Sequence, residues 1–186
     1  MNPGRSGRRR LVLAALGAAL FAAAHFAPWA VEPARARPRG SGRYPHSIKV
    51  EDFNGDGNLD VAIAASGESK LVVHFGDGGG GFASTVFLPV GRGPVWVEAG
   101  DLNGDGNLDL LTANSGGGSL SLYYGDGDGG FRRGEPIGVK AAVSAVAADF
   151  DGDGRMDLAV AQALPGRVLI YLGGPRGKFR RPVPIA

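Results

Sequence analysis

Short apolar runs alternate with glycine-rich polar turns along most of the chain. Three runs share one pattern, LDVAIAAS, LDLLTANS and MDLAVAQA, and each precedes a second run, KLVVHFGDG, SLSLYYGDG or RVLIYLGGP. A shorter run lies before and after each pair, so every unit contains four runs. Apolar runs of this length between glycine-rich turns predict β-strands. Past the N-terminal segment none has the length and 3.6-residue period of a helix, so the pattern predicts an all-β fold.

The four-strand unit occurs three times with a nearly constant period. Asp52, Asp101 and Asp149 open the same motif, at spacings of 49 and 48 residues. A period near 50 in a strand-rich sequence is typical of propeller arrays. One four-stranded blade cannot bury both of its faces alone, and stacking against a neighbour supplies the missing burial. We therefore predict a β-propeller-type array of three four-stranded blades, at about 44–93, 94–141 and 142–186.

The N-terminal segment predicts export. Arginines within the first ten residues precede an uncharged stretch at 11–31, and Ala34-Arg35-Ala36 offers a small-x-small cleavage site. This is the layout of a signal peptide over residues 1–36, followed by a linker at 37–43. The sequence leaves open whether the route is Sec or twin-arginine. It also leaves open a retained membrane anchor, because about 20 apolar residues suffice to span a bilayer. We expect a secreted, periplasmic or cell-surface protein.

The basic net charge of +2 comes from this segment. Residues 1–36 hold five arginines and one glutamate, which leaves 15 basic and 17 acidic residues in the remainder of the chain. A net charge of −2 there gives no basic surface for nucleic acid. We therefore expect no nucleic-acid partner, and contact with a membrane only through an uncleaved N-terminal segment.

Each unit contains one aspartate-rich loop, DFNGDGNLD, DLNGDGNLD or DFDGDGRMD. Polar side chains fall at positions one, three, five and nine, and position seven can add its backbone carbonyl. Calcium takes six to eight oxygen ligands, and glycines at positions four and six permit the tight winding that such a loop needs. We predict one Ca²⁺ per repeat, three in all. The predicted ligands are Asp52, Asn54, Asp56, Asn58, Asp60; Asp101, Asn103, Asp105, Asn107, Asp109; and Asp149, Asp151, Asp153, Arg155, Asp157. Leu59 is predicted to turn inward as a hydrophobic anchor.

Two other interpretations of the loops compete with calcium binding. The first is a turn rich in glycine and aspartate that binds no metal, which three loops with matching ligand positions disfavour. The second is an EF-hand, which requires a glutamate at position twelve and flanking helices. Position twelve is Ile63, Thr112 or Val160 here, and strands follow.

The unit resembles the FG-GAP repeat, also called the VCBS-type repeat, of integrin-α-like β-propellers. The residues that carry the resemblance are the three loops together with FGDGGGGF, YGDGDGGF and LGGPRGKF at 75–82, 124–131 and 172–179. It implies a propeller, commonly of seven blades, in which the calcium loop joins the first and second strands of each blade. It also implies a role in adhesion or ligand binding outside the cell.

Three units are fewer than the four to eight blades of closed propellers. The sequence therefore predicts either a partial propeller or a ring completed by homo-oligomerisation. We expect an interaction module for a protein or glycan ligand, with no catalytic residues and no organic cofactor. The alternatives are a secreted polysaccharide-acting enzyme or accessory carbohydrate-binding module, and a truncated propeller fragment without independent activity.

Four of the aromatic or histidine residues outside the loops are candidates for a ligand surface. His74, Tyr123 and Tyr171 occupy equivalent positions and are interpreted as packing between blades rather than as a ligand surface. Trp96 is interpreted as filling a gap between units, with ligand binding as the alternative.

Overall fold

The computed structural model describes residue 40 and residues 42–185, so the predicted signal peptide lies outside the described residues. The described part of the chain is an all-β array of three antiparallel sheets, each formed by one sequence repeat. The first sheet contains β1 (Pro45–Glu51), β2 (Asp60–Ala65), β3 (Lys70–Gly76) and β4 (Phe82–Pro89). The second contains β5 (Pro94–Gly100), β6 (Asp109–Asn114), β7 (Ser119–Gly125), β8 (Phe131–Arg133) and β9 (Ile137–Gly138). The third contains β10 (Ala142–Ala148), β11 (Asp157–Gln162), β12 (Arg167–Tyr171) and β13 (Val183–Ile185), with a 3-10 turn at Pro175–Gly177.

Strands pair in the order in which they occur along the chain, so each sheet is an antiparallel meander, here called blades 1, 2 and 3. In blade 2 the fourth strand is divided, because β8 and β9 both pair with β7 and Pro136 lies between them. A proline cannot donate to a strand ladder, which accounts for the interruption. The end of the predicted linker is attached to blade 1, since the carbonyl of Arg43 accepts the backbone N–H of Gly67.

The hydrophobic core lies between the blades. One cluster joins blade 1 residues such as Leu71 and Val73 to Leu110 and Tyr123 of blade 2. A second joins Leu120 and its neighbours in blade 2 to blade 3 residues such as Leu158. Alternate residues of a strand point to opposite faces, so each inner strand contributes to burial on both sides. This arrangement confirms the predicted array of stacked four-stranded blades.

The prediction for Leu59 is wrong. Its side chain is 67% exposed, whereas the loop residue that is buried in blade 1 is Phe53, at 2% exposure. The equivalents of Leu59, Leu108 and Met156, pack against the inter-blade clusters. This position therefore points toward the preceding blade, and the described residues contain no blade before blade 1.

No helix within the described residues has the length and hydrophobicity required to cross a membrane.

Candidate functional site: the three aspartate loops

Each aspartate loop joins the first and second strands of its blade, as the resemblance implied. The loops lie between β1 and β2, β5 and β6, and β10 and β11, and their ninth residue begins the second strand. The glycines at positions four and six adopt positive φ angles, 69° at Gly55 and 84° at Gly57. Side chains other than glycine rarely take this left-handed conformation, so the glycine spacing permits the tight winding.

The first aspartate organises the turn. In the second loop, Asp101 Oδ1 accepts the backbone N–H groups of Gly104 at 2.7 Å and Asp105 at 3.1 Å. Its Oδ2 accepts the N–H of Gly106 at 2.8 Å. The first aspartates of the other two loops accept the N–H of their position-six glycines at 2.8 and 2.9 Å. One carboxylate thereby fixes the backbone that carries the other predicted ligands.

Positions one, three and five converge on the exposed side of the loop. In the third loop, ligand oxygens of Asp149, Asp151 and Asp153 all lie within 4.8 Å of one another. In the first and second loops position three is asparagine, and its side-chain oxygen accepts the N–H of position five at 3.2 and 2.8 Å. The structure therefore brings these three predicted ligand positions together, and every donor they offer to a cation is an oxygen.

Position seven differs between the loops. The backbone N–H of Asn58, of Asn107 and of Arg155 donates to the position-five carboxylate at 2.8 to 3.0 Å. The Arg155 guanidinium also pairs with Asp153 at 3.0 Å. The third loop thus has one more carboxylate than the others, Asp151, and also carries the positive charge of Arg155. Ligation by the position-seven carbonyl stays a prediction.

The ninth residue is a buried clamp. Asp60 Oδ2 accepts the backbone N–H of Phe53 at 2.9 Å, and its Oδ1 accepts that of Gly76 at 2.8 Å. The same pair of hydrogen bonds occurs at Asp109 and Asp157, both fully buried. Each clamp fastens its loop to the end of the third strand or, in blade 3, to the residue two positions after it. Its contribution to metal ligation stays a prediction.

The glycine that receives the clamp is a functional position that sequence reasoning missed. A Cβ added to Gly76, Gly125 or Gly173 would lie 2.3 or 2.4 Å from the carbonyl oxygen of loop position eight. No real Cβ approaches backbone that closely, so only glycine fits. The signal was available, because a glycine follows Phe75, Tyr124 and Leu172 in all three repeats.

Outer and inner carboxylates have different electrostatics. The N–H of Asn58 lowers the pKa of Asp56, and the N–H of Gly154 lowers the pKa of Asp149, because each bond favours the charged form.

Burial raises the pKa of the inner carboxylate Asp109 to about 6. Its two backbone hydrogen bonds oppose this increase, and the charges of Asp105 and Asp101 add to it. Burial likewise raises the pKa of Asp60. Asp56 and Asp149 are therefore ionised at neutral pH, and the aspartates at positions one and five reinforce the raised pKa of Asp60 and Asp109.

Tyr123 and Tyr171 are buried between blades, as predicted, whereas His74 is buried within blade 1 and so differs from the predicted packing between blades. Tyr123 and Tyr171 belong to the two inter-blade clusters, and the Tyr123 hydroxyl donates to the carbonyl of Pro89 in blade 1 at 2.5 Å. His74 is buried within blade 1, where its Nδ1 lies 2.8 Å from Thr85 Oγ1. Trp96 packs against the cluster between blades 2 and 3, which supports its core role. Among the described side chains, its Nε1 is the buried polar atom that has no hydrogen-bond partner.

Comparison with solved structures supports the propeller-type fold. Twenty-two chains of solved structures match. One is in the crystal structure of BBS1N in complex with ARL6DN, soaked with mercury, with a TM-score of 0.52 and 17% identity. The match covers 76% of this chain and 44% of that chain, so this chain spans less than half the length of that protein.

No curated protein matches the sequence. The family model described as FG-GAP-like repeat matches twice, at residues 52–112 and 101–160. Together these matches cover more than half of the chain and include all three aspartate loops. The chain belongs to the FG-GAP-like repeat family.

Proposed function

We propose that this protein is an exported, calcium-stabilised propeller-type module that binds a protein or glycan ligand at or outside the cell surface. The observation that carries the proposal is the recurrence, in three blades, of one loop whose carboxylate and amide oxygens face outward together. Family membership supports a ligand-binding or adhesion role. Export rests on the basic, apolar and small-x-small layout of residues 1–36.

Calcium suits these loops for an electrostatic reason. Three exposed carboxylates of the third loop approach within 4.8 Å, and the second-loop aspartates at positions one and five raise the pKa of Asp109. Repulsion among like charges at such distances opposes the compact loop. A hard divalent cation that binds between these oxygens would replace the repulsion among carboxylates with attraction between each carboxylate and the cation. Calcium would thus stabilise the blades, and the ligand would meet another part of the surface.

Binding rather than catalysis fits the remaining polar groups. His46 lies exposed on β1, and buried His74 is hydrogen-bonded to Thr85 inside blade 1. Burial lowers the pKa of His74, which keeps it neutral. His74 is 3% exposed, so a substrate has little access to its ring. We therefore propose that this module acts by recognition and has no catalytic centre.

Isothermal titration of the metal-free chain with Ca²⁺ tests the metal sites. We expect three sites, with dissociation constants of roughly 10⁻⁴ to 10⁻³ M, as in extracellular calcium modules. Asp149→Ala should remove the third site and reduce the stoichiometry to two. Asp128→Ala, an exposed aspartate in the turn after β7, is the matched control and should keep all three. Absence of binding heat, or an unchanged stoichiometry in Asp149→Ala, would overturn the assignment.

A screen of immobilised glycans and extracellular proteins, run with calcium and with chelator, tests the recognition role. We expect retention of a ligand in calcium and its loss when chelator loosens the loops. Turnover of a polysaccharide in the same screen would instead make the protein an enzyme.

A further inference from the structure

The outer face of blade 3 carries the positions with which blades 1 and 2 contact the blade after them. The outer face of blade 1 carries the positions with which blades 2 and 3 contact the blade before them. We propose that a second copy of the chain docks head to tail, with the blade 3 face of one copy on the blade 1 face of the other. The proposal concerns assembly and goes beyond the proposed function. It rests on equivalent positions that are buried between blades and exposed at both ends.

The contact between blades 1 and 2 shows what each half supplies. Phe53, from the blade 1 loop, packs edge-on against Phe131 of blade 2, with ring centroids 6.4 Å apart and planes at 64°. Leu108 of blade 2 packs against the same cluster. The leading blade thus provides an aromatic knob, and the following blade provides a groove formed by its loop and turn.

The contact between blades 2 and 3 repeats this design. Leu102 occupies the position of Phe53 and is buried. It belongs to the cluster against which Met156 and Phe179 of blade 3 pack, at the positions of Leu108 and Phe131. Two internal interfaces therefore use the same positions, although the side chains differ.

Blade 3 carries an uncovered knob. Phe150 is the third residue of this position, and its side chain is 49% exposed. Val168 on β12 is 37% exposed, whereas its equivalents Leu71 and Leu120 are fully buried between blades. Phe150 and Val168 occupy the positions at which blades 1 and 2 contact the blade that follows them.

Blade 1 carries the uncovered groove. Leu59, Val50, Val61 and Phe82 line it together with the glycines of the turn after β3. Ile48 on β1 is 63% exposed, although its equivalents Val97 and Ala145 are buried against the preceding blade.

The groove also has space for the missing neighbour. A Cβ added to Gly129 of blade 2 would meet Phe75 of blade 1 at 3.0 Å. A Cβ added at the equivalent Gly80 of blade 1 would meet no atom within 4 Å.

A second copy fits both faces because each chain presents one knob face and one groove face. Apolar surface of this kind gains free energy when it is removed from water. A head-to-tail contact is heterologous and closes when the rotation per subunit allows it. Two copies provide six blades, which lies within the four to eight blades of closed propellers.

Sedimentation of the full chain in saturating calcium tests the proposal. We expect a species of twice the chain mass of 19.1 kDa at high protein concentration. Val168→Asp on the knob face and Ile48→Asp on the groove face should each weaken self-association by roughly a hundredfold or more, because a buried unpaired carboxylate is costly. Leu164→Asp is the matched control, because this exposed leucine lies in the turn after β11, outside the strands that carry Val168 and Ile48. It should associate like the unmodified chain.

Mixing the variants identifies the geometry. The Val168→Asp chain keeps its groove face, and the Ile48→Asp chain keeps its knob face, so an equimolar mixture should recover a two-chain species that neither forms alone. Thermal unfolding of each variant verifies that it is folded. Phe150→Ser provides a second variant of the knob face that adds no charge.

Three results would overturn the proposal. A monomeric unmodified chain would show that a second copy does not cover the faces. Self-association of Ile48→Asp alone would indicate a symmetric contact between blade 3 faces. Association that survives in both aspartate variants would assign it to another part of the chain, such as residues 1–39.

Discussion

At the scale of single residues, the buried aspartate at loop position nine is the main structural connection. Asp109 accepts two backbone N–H groups, one from Leu102 in the loop that precedes it and one from Gly125 at the end of β7. Hydrogen bonds to a carboxylate are among the stronger ones in proteins. The residue thereby couples the geometry of the loop to the pairing of β6 with β7.

Asp109→Ala should destabilise the protein strongly. It leaves the N–H groups of Leu102 and Gly125 buried without their acceptor, at about 1–3 kcal/mol for each group. Urea denaturation in chelator measures this as a lower midpoint, with Asp128→Ala as the exposed control. A midpoint equal to that of the control would contradict the clamp role.

His74 should make stability depend on pH. Burial lowers its pKa below the ordinary value of 6.5, so the unfolded chain binds the proton more readily than the folded one. The stabilising difference is complete above pH 6.5 and is lost as the pH falls from there through the lowered folded pKa. Thermal unfolding in saturating calcium should therefore give a smaller decrease in Tm from pH 7.5 to 5.5 for His74→Gln than for the unmodified chain. Equal decreases would assign the pH dependence to other groups.

At the scale of elements, each blade is a meander whose first hairpin is an aspartate loop, and an obligatory glycine lies at or just after the end of its third strand. The added Cβ at Gly125 would lie 2.3 Å from the carbonyl oxygen of Leu108. Loop and strand are therefore in direct backbone contact, and neither can shift without the other.

Gly125→Ala should cost about 1–3 kcal/mol or more of stability, as overpacking does when backbone must move. Gly138→Ala is the matched control, because a Cβ there would meet no atom within 4 Å. Chemical denaturation should separate the two variants clearly. If both unfold at the same denaturant concentration, the loop has more freedom than its contacts indicate.

Sequence reasoning predicted the strands and the place of the loops because both depend on local pattern. Apolar alternation indicates strands, and the nine-residue motif marks the first hairpin of every blade. It missed the partnership of Asp60 with Gly76, because that contact depends on the register of β2 against β3. It placed Leu59 inward wrongly, because burial there requires a preceding blade. Errors therefore arose where a residue's surroundings come from a distant part of the chain.

At the scale of the whole molecule, stability comes from blade-to-blade burial as well as from the loops. Two inter-blade clusters hold the large apolar side chains, and the outer faces of blades 1 and 3 leave equivalent positions exposed. Repeat arrays of this kind gain stability at each interface between neighbours. The loops lie at the same interfaces through Phe53 and Leu102, so metal binding and blade stacking should reinforce one another.

Thermal unfolding of the chain with and without calcium tests the central claim most directly. At a hundredfold excess over the dissociation constant, each ion that binds only the folded state adds about 2.7 kcal/mol to the free energy of unfolding. We predict that calcium raises Tm by many degrees, that chelator reverses the increase, and that Asp149→Ala reduces it. A transition at the same temperature in saturating calcium and in chelator would contradict the claim that calcium is part of this fold.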